Sequence, residues 1–157
     1  MASRRKGRIL AFQALYSWDA HYSQAGDTSI PEGLLDFSWA LKTGDAPAQN
    51  DETTAFSRLL VTGTIENIAK VDAMIRKHLK NWDLKRLNKV DLAVLRMSAY
   101  TMMFQPDMPP TIVIDEAIGI SREFGTDDSY RFVNGVLDGI RKTLASGTYN
   151  EVSGNGQ

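Results

Sequence analysis

The sequence predicts an all-α protein of about six or seven helices. Three observations carry that prediction. Apolar residues recur at steps of three and four over most of the chain, the period of one helix face. The segments bearing that period are bounded by capping residues and by Pro and Gly. The strongest hairpin dipeptide, Asn134-Gly135, has no alternating apolar run on either side and so does not mark a pair of strands.

The first helix is expected from about Arg4 to about His21, with Ile9, Phe12 and Tyr16 on one face. A short second helix is expected from Pro31 to about Lys42, with Ser29 as N-cap and Pro31 in a first turn where its missing N–H costs nothing. The segment from Thr43 to Asn50 is rich in turn formers and reads as an exposed loop. From Asp51 to Leu79 the pattern is helical throughout, and Gly63 within it marks a close helix crossing or a kink. After Trp82, Asp83 to Leu87 reads as a connection, and Asn88 caps a helix that turns Val90, Val94, Leu95 and Met97 inward. Pro106, Pro109 and Pro110 break the pattern. The β-branched opening Ile112 to Ile114 suits a strand, but Val113, Ala117, Ile120 and Phe124 keep a 4-3-4 spacing. Pro110 fits a first turn, Gly125 a C′ position, and Asp115 and Glu116 complement the dipole, so a helix is expected. The last helix is expected from Asp128 or Ser129, capped by the Asp127-Asp128 pair, to about Leu144. Its inward residues are Val133, Val136, Leu137, Ile140 and Leu144, while Gly135 and Gly139 leave room for a neighbouring helix. Residues 1–145 are taken as one helical domain and 146–157 as a polar, disordered tail.

The chain of 157 residues has 43% apolar residues, 18 basic against 19 acidic, and no cysteine. That excludes disulfides, thiol catalysis and Cys-ligated metals. His21 and His78 have no ligand spacing, and no run of 18 apolar residues or signal-peptide core occurs, so a soluble, cytoplasmic protein without a membrane segment is expected. The charge is unevenly placed. Arg4, Arg5, Lys6 and Arg8 precede the first acid, Asp19. Positive charge at a helix N-terminus opposes the macrodipole by roughly a few tenths of a kcal/mol or more. The bland reading is a solvated terminus. The functional one is an arginine-rich RNA-binding segment, with Gln13 offering hydrogen bonds and Tyr16 a stacking face. Tyr16 taken alone reads as a core aromatic with its hydroxyl at the rim.

Little supports catalysis. Asp115-Glu116 and Asp127-Asp128 are adjacent pairs, and neighbours on a helix point about 100° apart, a poor geometry for a cooperating acid and base. No Ser-His-Asp set, phosphate loop or dinucleotide fingerprint is present. In KVDLAVLR, Asp91 reads as a capping acid or partner contact and Arg96 as a solvent-facing or ion-paired residue, also open to a partner.

Three stretches, RRKGRILAFQALYSWD, LKRLNKVDLAVLRMSAYTMMF and PPTIVIDEAIGISREFGTDDSYRFVNGVLDGI, together resemble the signature stretches of the NusB family of bacterial transcription antitermination factors, over roughly residues 4–144. The resemblance implies two packed helical bundles, no enzymatic activity and no cofactor or metal. It implies binding of boxA RNA together with NusE, a small-subunit ribosomal protein, within the RNA polymerase antitermination complex of ribosomal RNA operons. By position, Arg4, Arg5, Lys6 and Arg8 match the arginine-rich motif, with Gln13 and Tyr16 in the same helix. Phe132 matches an aromatic position near the RNA-facing surface, and Asp91 and Asp128 match acidic positions on the NusE-facing side. Asp115 replaces the usual Asn of the family's I-N-E-A run, Lys6-Gly7 makes the basic motif less arginine-rich, and Pro110 stands where a larger or polar residue is more common. Two other readings are carried. One is a relative of ribosomal RNA cytosine methyltransferases with a NusB-like domain, for which a catalytic cysteine is lacking. The other is a homodimer that occludes its RNA surface.

Overall fold

The computed structural model describes residues 4–37, 39, 52–80 and 83–147. Within them lie six α-helices, two 3-10 turns and no strand. Helix α1 (Arg4–Ala25) runs one turn beyond the expected His21. It buries Leu10, Ala11, Phe12, Ala14, Leu15 and Trp18. Its buried face is therefore rotated from the one expected: Trp18 goes in, while Tyr16 stays 48% exposed. Trp18 stacks on Tyr22 at 4.6 Å.

The helix expected from Pro31 is replaced by a 3-10 turn, Leu34–Asp36. Ser29 does not cap it. The Ser29 N–H and hydroxyl both donate to the Asp27 carboxylate, at 2.8 and 2.9 Å, a local turn that competes with helix nucleation. The loop expected from Thr43 to Asn50, the end of that helix near Lys42, and Asp51 and Trp82 lie outside the described residues.

The long helix expected over 51–79 is two helices, α2 (Glu52–Glu66) and α3 (Ile68–Lys77). Asn67 makes the break. Its side-chain amide donates to the Gly63 carbonyl at 2.9 Å, and its backbone N–H bonds the same oxygen at 3.1 Å. Gly63 marks a close crossing: the space its Cβ would fill is taken by the Tyr100 hydroxyl, from the helix that follows α3.

Helix α4 (Lys89–Phe104) is the central element, as Asn88 predicts by accepting from the N–H groups of Val90 (2.8 Å) and Asp91 (3.3 Å). It packs against α1, α2 and α3 and against α5 (Pro110–Phe124) and α6 (Ser129–Ser146). It is buried nearly all round, from Asp91 through Ala99, and so forms the wall common to the two packed groups. Two terminal expectations fail. Gly125 ends α5 at φ −96°, outside the left-handed region, and the carboxyl of Asp128 forms no capping bond. The Ser129 hydroxyl instead accepts from the Thr126 N–H at 2.9 Å, which ties down the turn leading into α6. Asp115 and Glu116 fall beyond the first turn of α5, too far in to complement its dipole. Of the two small residues of α6, Gly139 lets His78 approach, its Cβ position lying 2.7 Å from Nδ1, whereas Gly135 meets nothing. Helix α6 includes Ser146 and closes on Gly147 at φ 75°; the remainder of the expected tail lies outside the described residues.

Candidate nucleic-acid interface

The basic segment is helical from Arg4, and tertiary contacts offset the unfavourable charge at that terminus. Helix α2 supplies an aromatic ring. Phe56 lies 4.5 Å below the Arg4 guanidinium and 5.6 Å from that of Arg8, contacts worth about 0.5–1 kcal/mol each near a surface. Gly7 permits this approach, since a Cβ there would sit 2.7 Å from the ring. The Ser57 hydroxyl donates to the Gly7 carbonyl at 2.7 Å and ties the two backbones together.

Helix α5 supplies acids. Arg5 donates to Glu123 Oε1 at 3.1 Å and lies 3.9 Å from Glu116 Oε1. The guanidinium crosses α5 at Gly119, whose Cβ position is 3.0 Å from Nη1. Glu116, Gly119 and Glu123 stand at i, i+3 and i+7, one helix face. Arg8 is the buried member, 8% exposed, with Nη1 3.8 Å from Glu116 and Nη2 3.8 Å from the Met108 sulfur. Burial lowers its affinity for a proton; Glu116 raises it and Arg4 lowers it further. Glu116 Oε1 is itself buried and accepts no hydrogen bond.

Of the residues singled out from the sequence, Arg4, Arg5, Lys6 and Tyr16 are exposed and Gln13 half-buried, all on α1. Lys6, Gln13 and Tyr16, with Ser17 and Ala20, fall along the outward stripe of that helix. Arg8 lies beneath it. Phe132 is half-buried on α6, packed against the edge of the core, on a helix whose main neighbours are α5, α4 and α3 rather than α1. Asp128 is exposed at the start of α6. Asp91 is 7% exposed. Burial pushes its carboxyl above the usual carboxylate range, a hydrogen bond from Ser129 pulling the other way, and its Oδ1 has no hydrogen-bond partner.

Sequence reasoning missed Phe56, Glu116, Gly119 and Glu123 as supports of the basic segment; the i, i+3, i+7 spacing on α5 was the available signal. Of the two readings given for Arg96, the ion-paired one holds and the solvent-facing one does not, since the residue is buried. Its Nε and Nη2 donate to the two oxygens of Asp72 at 2.9 and 3.0 Å, and its Nη1 donates to Asp19 at 2.7 Å. Burial disfavours the charge, but the two carboxylates outweigh that and hold the guanidinium above its ordinary value. Among the described residues no group of His, Asp or Glu is placed to hold a metal ion, and no helix is long and apolar enough to cross a membrane.

Comparison with known proteins adds to this geometry. The family model described as the NusB family matches residues 5–142. The transcription antitermination protein NusB of Treponema pallidum is 54% identical over 140 residues, covering 89% of this chain and 93% of that one. A solved structure of T. maritima NusB superposes with a TM-score of 0.72 at 33% identity, over 90% of this chain and 93% of that one. A chain from a crystal structure of the antitermination factors NusB and NusE in complex with double-stranded RNA superposes with a TM-score of 0.72 at 26% identity, over 89% of this chain and 96% of that one.

Proposed function

The chain belongs to the NusB family, and on that premise we propose that it is a transcription antitermination factor that binds boxA RNA together with NusE. It acts in the cytoplasm as part of the RNA polymerase antitermination complex on ribosomal RNA operons, by binding rather than by catalysis. The observation that carries this reading is the ordered basic turn of α1, where three exposed cations stand above a built support of Phe56, Glu116 and Glu123. Arg4, Arg5 and Lys6 meet phosphates and gain affinity through counterion release. Arg8, held below by Glu116, adds positive field and fixes the turn. Gln13 and Tyr16 face the unpaired bases, the exposed Tyr16 ring offering a stacking surface. Phe132 extends the RNA-facing surface from α6. On this reading the exposed Asp128 contacts NusE directly, and Asp91 supports that side from beneath through Ser129.

The test is a fluorescence-anisotropy titration of boxA RNA with the parent protein and with Arg4→Ala/Arg5→Ala/Lys6→Ala, each with and without NusE. Loss of three phosphate contacts should lower the slope of log K against log salt by about 2, and NusE should raise the affinity of the parent. An unchanged slope in the variant, or no gain from NusE, overturns the reading.

A further inference from the structure

The chain carries a second concentration of positive charge, distant in sequence from the first. Between residues 76 and 89 stand six basic residues and one acid, Asp83. Arg76, Lys77, Lys80, Lys85, Arg86 and Lys89 are all exposed. Arg76 and Lys77 occupy the last turn of α3, where the dipole favours them. That account does not extend to the rest. Lys85 and Arg86 belong to the 3-10 turn Leu84–Arg86, and Lys89 opens α4, where a cation opposes the dipole as it does at Arg4.

Arg76, Lys85 and Lys89 line an open cavity of about 240 Å³ whose floor is Asp19, Asp72 and Arg96 and whose wall includes Tyr22 and Ser23 of α1. The floor is electrostatically closed: Arg96 satisfies both carboxylates, and Lys89 Nζ lies 3.3 Å from the remaining Asp19 oxygen. Asp83 is also engaged, accepting the Lys85 N–H at 3.2 Å. Asp19 and Asp72 are thus matched by cations inside the site, and the exposed Asp83 is outnumbered by Arg76, Lys85 and the neighbouring Arg86, which leaves net positive charge facing solvent.

The position of this cavity matters more than its charge. It sits at the far end of α1 from the arginine-rich turn. Ser23 lies seven residues beyond Tyr16, within about 20° of it around the helix, and about 26 Å along the axis from Lys6. The outward stripe joining the two ends runs through Gln13, Tyr16, Ala20 and Ser23 without an exposed acid, because Asp19 is turned inward to Arg96.

From this continuity we propose that the cavity rim at Arg76 and Lys85, extended by the exposed Arg86 of the same 3-10 turn as Lys85, is a second phosphate-binding surface for the same RNA strand, which runs the length of α1 over Tyr16. The inference rests on the RNA-binding reading above. It commits to RNA, since the path between the two cationic ends carries an exposed aromatic ring, Tyr16, on which an unpaired base can stack and for which an acidic protein segment has no matching group.

The experiment uses the full chain and its Arg76→Gln/Lys85→Gln/Arg86→Gln variant, leaving Lys89 and the buried floor intact. A circular-dichroism melt matching the parent's establishes that the fold is unchanged; if the melt falls, the single variants Arg76→Gln and Lys85→Gln are used in its place. Anisotropy is measured with a boxA-length RNA and with the same RNA extended on its 5′ side and, separately, on its 3′ side. The parent should bind one extended RNA several-fold more tightly than the short one. The triple variant should lose that increment, with a salt slope lower by about 2, while binding the short RNA as the parent does. The proposal is overturned if neither extension tightens binding, if the increment survives in the variant, or if short and extended RNAs weaken equally. Weakened NusE binding with RNA binding intact would likewise reassign the rim to protein. Failure of Arg4→Ala/Arg5→Ala/Lys6→Ala to weaken the short RNA would count against the primary RNA face and not against the rim, whose signal is the difference between the two RNAs.

Discussion

The two ends of α1 each anchor an arginine that the fold buries, and the anchoring differs in kind. At the far end Arg96 of α4 is closed by three oxygens and two rings: two oxygens of Asp72 within 3.0 Å, one of Asp19 at 2.7 Å, and the rings of Trp18 and Tyr22 within 6 Å. At the near end Arg8 has one acid, Glu116, at 3.8 Å, a sulfur at 3.8 Å and one ring. The first arrangement engages all three guanidinium nitrogens with carboxylates of the protein. The second leaves donors of Arg8 and its neighbours under-used, next to Arg4, Arg5 and Lys6 at the surface. The same residue type is a structural bolt in one place and part of a binding surface in the other, and the number of matched acceptors decides which.

The largest test of that contrast is Arg96→Ala. It leaves Asp19 and Asp72 as buried carboxylates without their guanidinium, and breaking a buried pair in this way costs about 3–5 kcal/mol. Thermal or urea unfolding should show it, and Asp19→Asn/Arg96→Met/Asp72→Asn should recover most of the loss. A loss below about 1 kcal/mol, the value of an exposed pair, would erase the contrast. Arg8→Met should cost less, about 1–3 kcal/mol, chiefly for the buried Glu116 oxygen it leaves with Arg5 alone. Equal losses for Arg8→Met and Arg96→Ala in the same unfolding assay would show that the looser site is as structural as the tighter one.

The smallest effect sharpens the scale at its unpaired extreme. Asp91 is a buried acid whose Oδ1 has no partner, and burial raises its carboxyl above the usual range. The folded state then holds the proton more tightly than the unfolded chain. Stability from this group is fullest below the ordinary carboxylate range and declines as pH rises through the raised value. Asp91→Asn should therefore be slightly more stable than the parent at neutral pH and equal to it below that range. Melts across pH decide it: a variant less stable at neutral pH would mean that the ionised Asp91 is matched after all.

Helix α4 could be read in the sequence because its determinants are local: Asn88 for the start and an uninterrupted apolar pattern inward. The proline-started α5 and the basic turn of α1 were legible for the same reason. The break at Asn67 and the turn that replaces the helix after Pro31 were not, because a side-chain amide and an Asp27 carboxylate took backbone partners that periodicity does not count. The site divides along the same line. By itself the sequence determined where positive charge stands, at residues 4–8 and again at 76–89, and that Tyr16 and Gln13 follow on the same helix. Only the tertiary structure decided which arginines are available, since burial and acceptor count belong to residues distant along the chain: Glu116 and Glu123 for Arg5, Phe56 for Arg4, Asp19 and Asp72 for Arg96. Charge is a property of composition. Whether a charge is matched depends on which helices pack together, and the central α4 set that by bringing Asp19 and Asp72 to one guanidinium.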